Sequence, residues 1–256
     1  ANNKRDYISP VQKKGEKPFR YNWQTPILLS SHNQEILYMG SNFLHRSMNQ
    51  GQTWTAISPD LTQGAKEGNV AFGTIAAISE SPLQFGLLYT GSDDGLVHVS
   101  KDGGATWNII SGNLPQNRWI SRVVASAHKK ERVYVTLNGY RNDDFTTYVY
   151  MSDDFGQTWI NIATNLPTSP VNVLVEDNVN EDVLYLGTDN GVYVSLNKGS
   201  LWNDFSNGIP NVAVHDLVIQ KKAKDLVVGT HGRSIYKVNL EPVQQLNEKV
   251  LAENLH

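Results

Sequence analysis

An eight-residue box recurs four times in this chain, and no other feature restricts its fold as severely. The copies read SMNQGQTW at 47–54, SKDGGATW at 100–107, SDDFGQTW at 152–159 and SLNKGSLW at 195–202, sharing the template S-x-[DN]-x-G-x-[TL]-W. A spacing of roughly 40–55 residues is the period of an array in which each repeat is one supersecondary unit. The flanks repeat as well. A pair of β-rich runs leads into each box (ILYMGSNFLHRS, LLYTGSDDGLVHVS, RVYVTLNGYRNDDFTTYVYMS, VLYLGTDNGVYVS), another apolar run lies before each pair, and a short strand with a turn follows each tryptophan. Four short strands per repeat, dense in β-branched and aromatic residues and punctuated by Gly, Asn and Pro, predict an all-β chain: a β-propeller of four-stranded antiparallel blades. The boxes then fall at the turn from third to fourth strand.

Inside the box, a short Asp or Asn oxygen accepts backbone N–H bonds, Gly supplies a positive φ, and Trp covers a junction between strands or blades. Asn49 and Asn197 stand where Asp102 and Asp154 stand elsewhere. A turn acceptor tolerates that exchange more readily than a catalytic carboxylate would. Asn49, Trp54, Asp102, Trp107, Asp154, Trp159, Asn197 and Trp202 are therefore assigned to structure.

Blades are expected near 23–58, 72–111, 119–163, 171–206 and 212–240, about five in all, within one domain spanning 1–240. Residues 241–256 turn helix-friendly and charged and read as a C-terminal linker or helix. The fifth blade has three strands and no box, while RDYISPVQ at 5–12 resembles TAISPDLT at 55–62, the fourth-strand region of the first blade. Two arrangements stay open. The N-terminal strand completes the fifth blade and closes a five-bladed ring, removing an open edge, or it completes a blade upstream and the chain is part of a larger propeller. The start ANNKRDYISP, with neither initiator Met nor a signal-peptide apolar stretch, reads as processed or cut from a longer precursor whose other domains would be partners.

The boxes resemble the Asp-box (BNR) repeats of sialidase-like and sortilin-like β-propellers over roughly residues 20–240. LVVGTHGRSIYKVNL at 226–240 resembles the closing hairpin of bacterial proteins labelled BNR-repeat glycosyl hydrolases, some of them similar to two-propeller xyloglucanases. Such a label describes a fold better than an activity. The resemblance implies a ligand-binding module for a glycan or a protein segment, part of a larger extracytoplasmic protein (periplasmic, secreted or at the cell surface). It also allows a glycoside hydrolase or one half of its active site, and a sortilin-like or assembly-factor propeller that holds peptides. Sialidases of this fold use three arginines, a tyrosine nucleophile with a supporting glutamate, and an aspartate. PFRYNW at 18–23 matches their Phe-Arg-Ile-Pro motif only through Phe19 and Arg20, and no Tyr/Glu pair is assigned. Xyloglucanase-like chemistry takes its two acids from two propellers, so one propeller would hold one of them.

Propeller topology sorts the polar residues onto two faces. The boxes, with Glu80, Glu176 and Asp177, go to the side opposite the usual binding face. That binding face collects Asp93 and Asp94, the long segment NGYRNDDF with Tyr140, Arg141, Asp143 and Asp144, then Asp189 and Asn190, then His231 and Arg233, with Arg118 and Trp119 at the entry to the third blade. Aromatic faces stack on apolar sugar faces while carboxylates and guanidinium groups bond hydroxyls. SDDG, TDNG and THGR are also good hairpin turns in their own right. The blade-three segment exceeds what a hairpin needs, and extra loop length is more often functional than structural.

Composition removes several classes. With 22 basic against 25 acidic residues there is no global field for nucleic acid. No apolar run is long enough for a membrane span, so no membrane insertion is expected. The chain has no cysteine, and its seven histidines show no metal-ligand spacing. Neither metal nor cofactor is expected.

Overall fold

The computed structural model describes residues 7–67 and 72–246. Among the described residues the chain is all-β, with five antiparallel sheets, four of four strands and one of three, one short α-helix and one 3-10 turn. It divides into two compact units, residues 1–125 and 126–256.

The first unit opens with blade one: β1 (Ile27–Leu29), β2 (Leu37–Gly40), β3 (Leu44–Ser47) and β4 (Thr55–Ala56), hydrogen-bonded in that order. Blade two repeats this with β5 (Ile75–Glu80), β6 (Leu88–Ser92), β7 (Val97–Ser100) and β8 (Asn108–Ile109), and β9 (Trp119–Ala125) ends the unit. The two middle strands of blade two are buried along their whole length, whereas β4 and β8 are exposed. Blades stack face to face, so a middle strand is covered on both sides and reads as a continuous apolar run. Gly40 and Gly91 make that stacking possible. A Cβ on Gly40 would lie 2.9 Å from Ile75 of blade two, and one on Gly91 would lie 2.3 Å from Ile120 of β9.

The second unit begins with β10 (Val133–Asn138), β11 (Tyr148–Ser152) and β12 (Ile160–Asn161), hydrogen-bonded in that order. Blade four is β13 (Val171–Glu176), β14 (Leu184–Thr188), β15 (Gly191–Ser195) and β16 (Trp202–Asp204). Blade five holds three strands, β17 (Val214–Gln220), β18 (Asp225–Thr230) and β19 (Ile235–Asn239), followed by α1 (Glu241–Gln244). Its core joins that of blade four through Val173, Tyr185, Val192, Val214, Leu217 and Leu226.

One fully buried tyrosine sits on the second strand of each of the first four blades: Tyr38, Tyr89, Tyr134 and Tyr185. Two of them reach a carboxylate on the following blade. Tyr38 donates to Glu80 at 2.9 Å and Tyr134 to Glu176 at 3.0 Å, where Ser30 and Ser126 also donate. A buried carboxylate with several donors is satisfied rather than stranded. These acids therefore fasten blade to blade.

Part of the expected N-terminal strand, residues 5 and 6, lies outside the described residues, and 7–10 form no strand. The helix-like tail begins as expected at Glu241, and residues 247–256 are likewise outside. No helix among the described residues is long and apolar enough to cross a membrane.

Candidate functional site

The four boxes share one geometry. Ser47, Ser100, Ser152 and Ser195 each accept the N–H of the box glycine at 2.8 Å and donate to the box Asp or Asn at 2.7–3.0 Å. That Asp or Asn in turn accepts the N–H of the box Thr or Leu. The turn passes through two left-handed residues in succession. The first is Gln50, Gly103, Phe155 or Lys198, and the second is always glycine, at φ of 83° to 98°. Asp102 and Asp154 are held down at about 2 by donors from Thr106 and Thr158, so both are spent acceptors at neutral pH.

Three boxes also clasp an upstream isoleucine, which in two of them directly follows the fourth strand of the preceding blade. Trp107 Nε1 donates to the Ile57 carbonyl at 2.9 Å and Trp202 Nε1 to that of Ile162 at 2.7 Å, while Trp54 makes the same bond to Ile8. The box glycine leaves room for that isoleucine. A Cβ on Gly51, Gly104 or Gly199 would run into Ile8, Ile57 or Ile162 respectively.

In the first unit, Asp93 and Asp94 build turns. Asp93 accepts from the Thr74 N–H at 2.9 Å, the Thr74 hydroxyl at 2.6 Å and Asn22 at 3.2 Å. Asp94 is almost wholly buried, accepts from Ser92 and from the Gln63 N–H, and has its pKa raised by burial. Arg20 is tied to Asp60 at 2.7 Å, to Thr62 and to the Gly73 carbonyl, and so pins the strand-four-to-one connection. Arg118 and Trp119 are half-buried at the start of β9.

In the second unit, the long connection between β10 and β11 is a built loop. Residues Tyr140–Asn142 form a 3-10 turn, closed by Asp143 in the left-handed region at φ 54°. Asn138 Oδ1 accepts the Tyr140 N–H at 2.9 Å, and Asp144 accepts the Tyr148 hydroxyl at 2.9 Å and the Thr146 N–H at 3.1 Å. Thr147 accepts the Ser169 N–H at 2.8 Å, which anchors the loop to the next connection. A ladder of amides continues outward. Asn138 donates to Asn172, and Asn172 donates to Asp189 and to the Val214 carbonyl. With its base fixed in this way, the loop holds Tyr140 (60% exposed) and Phe145 (46% exposed) edge to face at 5.9 Å, with Arg141 and Asp143 exposed beside them. In blade five, His231 and Arg233 are exposed, and the His231 ring lies 5.1 Å from that of His215.

Residues 28–216 match the DUF6242 beta propeller domain. The chain belongs to that family. Among solved structures it is similar to the GH74 xyloglucanase from Xanthomonas campestris (17% identity, TM-score 0.67, 88% of this chain and 37% of that one). The GH74 enzyme of Niastella koreensis aligns at 16% identity and TM-score 0.65, covering 86% and 36%. YCF48 bound to D1 peptide aligns at 12% identity and TM-score 0.56, covering 89% and 66%. The chain thus spans little more than a third of either GH74 enzyme. No curated protein matches it.

Sequence reasoning missed the blade-to-blade Glu–Tyr contacts and the charged cluster around Arg132. This buried guanidinium bonds Asp153 at 2.7 Å and Glu181 at 2.9 Å, with Lys129 and Lys198 adding to the same acids. The glutamates carried a signal, because Glu80 and Glu176 stand nine residues before Tyr89 and Tyr185, at equivalent positions in their blades.

Proposed function

We propose that this propeller is a ligand-binding module that takes a glycan on the loop spanning residues 138–147. The carrying observation is the Tyr140–Phe145 pair, held exposed on a loop whose every turn is braced by hydrogen bonds. Two rings fixed before binding offer an apolar platform at little ordering cost, and Arg141 and Asp143 supply directional bonds to hydroxyls. Four of the five acids expected on the binding face favour binding over cleavage. Asp93, Asp94, Asp144 and Asp189 are all engaged in bonds that build turns or ladders. An extracytoplasmic setting, as part of a larger protein, fits such a module.

The fold likeness to a xyloglucanase and to a peptide-bound propeller names two ligand classes for a direct comparison. The experiment is a glycan array with xyloglucan oligosaccharides included, a peptide library beside it, and a panel of fluorogenic glycosides. Glycan retention that Tyr140→Ala and Phe145→Ala each reduce at least tenfold, without glycoside cleavage, is expected. Retention of peptides alone, or glycan binding indifferent to both substitutions, would refute the proposal.

A further inference from the structure

Two histidines meet in blade five. His215 fills the bulge of β17, where the register with β18 shifts between Val214 and Asp216, and His231 follows β18, its N–H bonded to the Ala213 carbonyl at 2.9 Å. Their rings lie 5.1 Å apart, centre to centre, with their planes at 36°. Blade four shows that side chains at these two positions converge. Its first strand has the same bulge between Val171 and Val173, which makes Asn172 the counterpart of His215. Asp189 is the counterpart of His231, with its N–H on the Pro170 carbonyl at 3.1 Å. Asn172 donates to Asp189 at 2.8 Å. The backbone frame that builds a hydrogen-bonded pair in blade four therefore presents two imidazoles to each other in blade five.

The other described histidines are placed differently. His32 and His128 bond the Ser81 and Asp177 carbonyls through Nε2, His45 bonds Ser41, and His98 is buried. His215 and His231 are exposed, and none of the described residues hydrogen-bonds their ring nitrogens. A neutral imidazole offers one lone pair in the plane of its ring, and two such donors side by side make a chelate for a divalent transition metal. Their separation selects among metals. With metal–nitrogen bonds of about 2.0–2.1 Å, two imidazoles on a tetrahedral Zn²⁺ have ring centres about 5.2 Å apart, whereas a cis pair in the square plane of Cu²⁺ or Ni²⁺ brings them to about 4.5 Å. The spacing found here, 5.1 Å, matches the tetrahedral ion. The broad second torsion of histidine lets each ring turn a nitrogen toward it without moving the backbone.

We propose that His215 and His231 form a two-nitrogen binding site for Zn²⁺. No third His, Asp or Glu completes a metal cluster among the described residues. The remaining tetrahedral positions are then open to water or to an oxygen of a ligand, as in zinc sites that keep an exchangeable position rather than in closed structural ones. Both residues belong to one blade. Sequence spacing gives no sign of the site, because strand pairing and a bulge, not nearness along the chain, bring the two rings together. This inference stands apart from the glycan reading, since it uses none of the residues of the 138–147 loop.

The test is a titration of Zn²⁺ into the tag-free chain against a chromophoric chelator. It is repeated with His215→Ala, with His231→Ala and with the double variant His215→Asn/His231→Asp, which copies the blade-four pair. One Zn²⁺ per chain is expected for the parent, and each alanine variant should weaken it about tenfold or more, since a single imidazole is a poor site. The double variant should lose the site while keeping its near-ultraviolet circular dichroism. Because the two rings are paired only in the folded chain, Zn²⁺ should also raise the melting temperature of the parent and leave that of the double variant unchanged. A parent that binds Zn²⁺ no more tightly than the double variant would overturn the proposal. So would binding that one alanine variant abolishes and the other leaves intact.

Discussion

Replacing Gly199 with Ala tests whether the boxes hold adjacent blades together, and Gly208 supplies the control. Gly199 has φ 83° and its added Cβ would lie 2.7 Å from Cδ1 and 2.9 Å from Cβ of Ile162, the residue whose carbonyl Trp202 holds. Gly208 has nearly the same φ, 81°, with nothing within 4 Å. The left-handed backbone alone costs an alanine about 1–2 kcal/mol, which is all that Gly208→Ala should lose. Gly199→Ala adds the overlap with Ile162, a β-branched side chain that cannot swing aside, at about 1–3 kcal/mol more. Urea denaturation reads the difference. With a slope of about 3 kcal/mol/M, the midpoint should fall by about 0.3–0.7 M for Gly208→Ala and by about 0.7–1.7 M for Gly199→Ala. A Gly199→Ala midpoint equal to or above that of Gly208→Ala would show that the box glycine serves its own turn only.

Glu176→Ala strands three donors, the Ser126 hydroxyl, the Ala127 N–H and the Tyr134 hydroxyl. It should cost about 2–4 kcal/mol by urea midpoint, and Glu176→Gln should restore more than half of that. Stability should also fall in mild acid. Burial holds His45 and His98 down at about 4, so above about pH 6.5 they are neutral whether folded or not and contribute nothing. As pH drops from there toward 4, the unfolded chain takes protons that the folded chain refuses. Each histidine then removes about 3 kcal/mol, levelling off below pH 4, and a His98→Gln variant should show a shallower decline across that window. Asp154→Ala should lower the urea midpoint while leaving glycan affinity unchanged in the folded protein, because its carboxylate serves the box turn.

The blades were legible because their cause is local. The box sets two left-handed residues, a glycine and an Asp or Asn acceptor within eight positions, and each requirement leaves its mark on the residue type. The long blade-three loop was legible for a similar reason, as surplus length between two strands. Asp93 and Asp94 were not. Their turn character could be read, but their burial depends on Asn22 and Gln63, 71 and 31 residues away, and no local pattern announces such partners. The fourth strands were only partly legible. β4, β8 and β12 are two residues long and exposed, so they carry little apolar periodicity of their own. The likeness of residues 7–10 to 56–59 was visible in sequence, yet only the contacts of Ile8 with Trp54 and Gly51 give that likeness a physical meaning.

The most direct test of the functional reading is the affinity of a loop-shortened chain. Replacing residues 138–147 with the TDNG turn of blade four removes Tyr140 and Phe145 and leaves the boxes untouched. Folding is checked by near-ultraviolet circular dichroism, and the oligosaccharide retained best on the array is titrated into both proteins by calorimetry. Loss of the binding isotherm in a folded, shortened chain is the predicted result, and an unchanged affinity would place the ligand elsewhere and contradict the account.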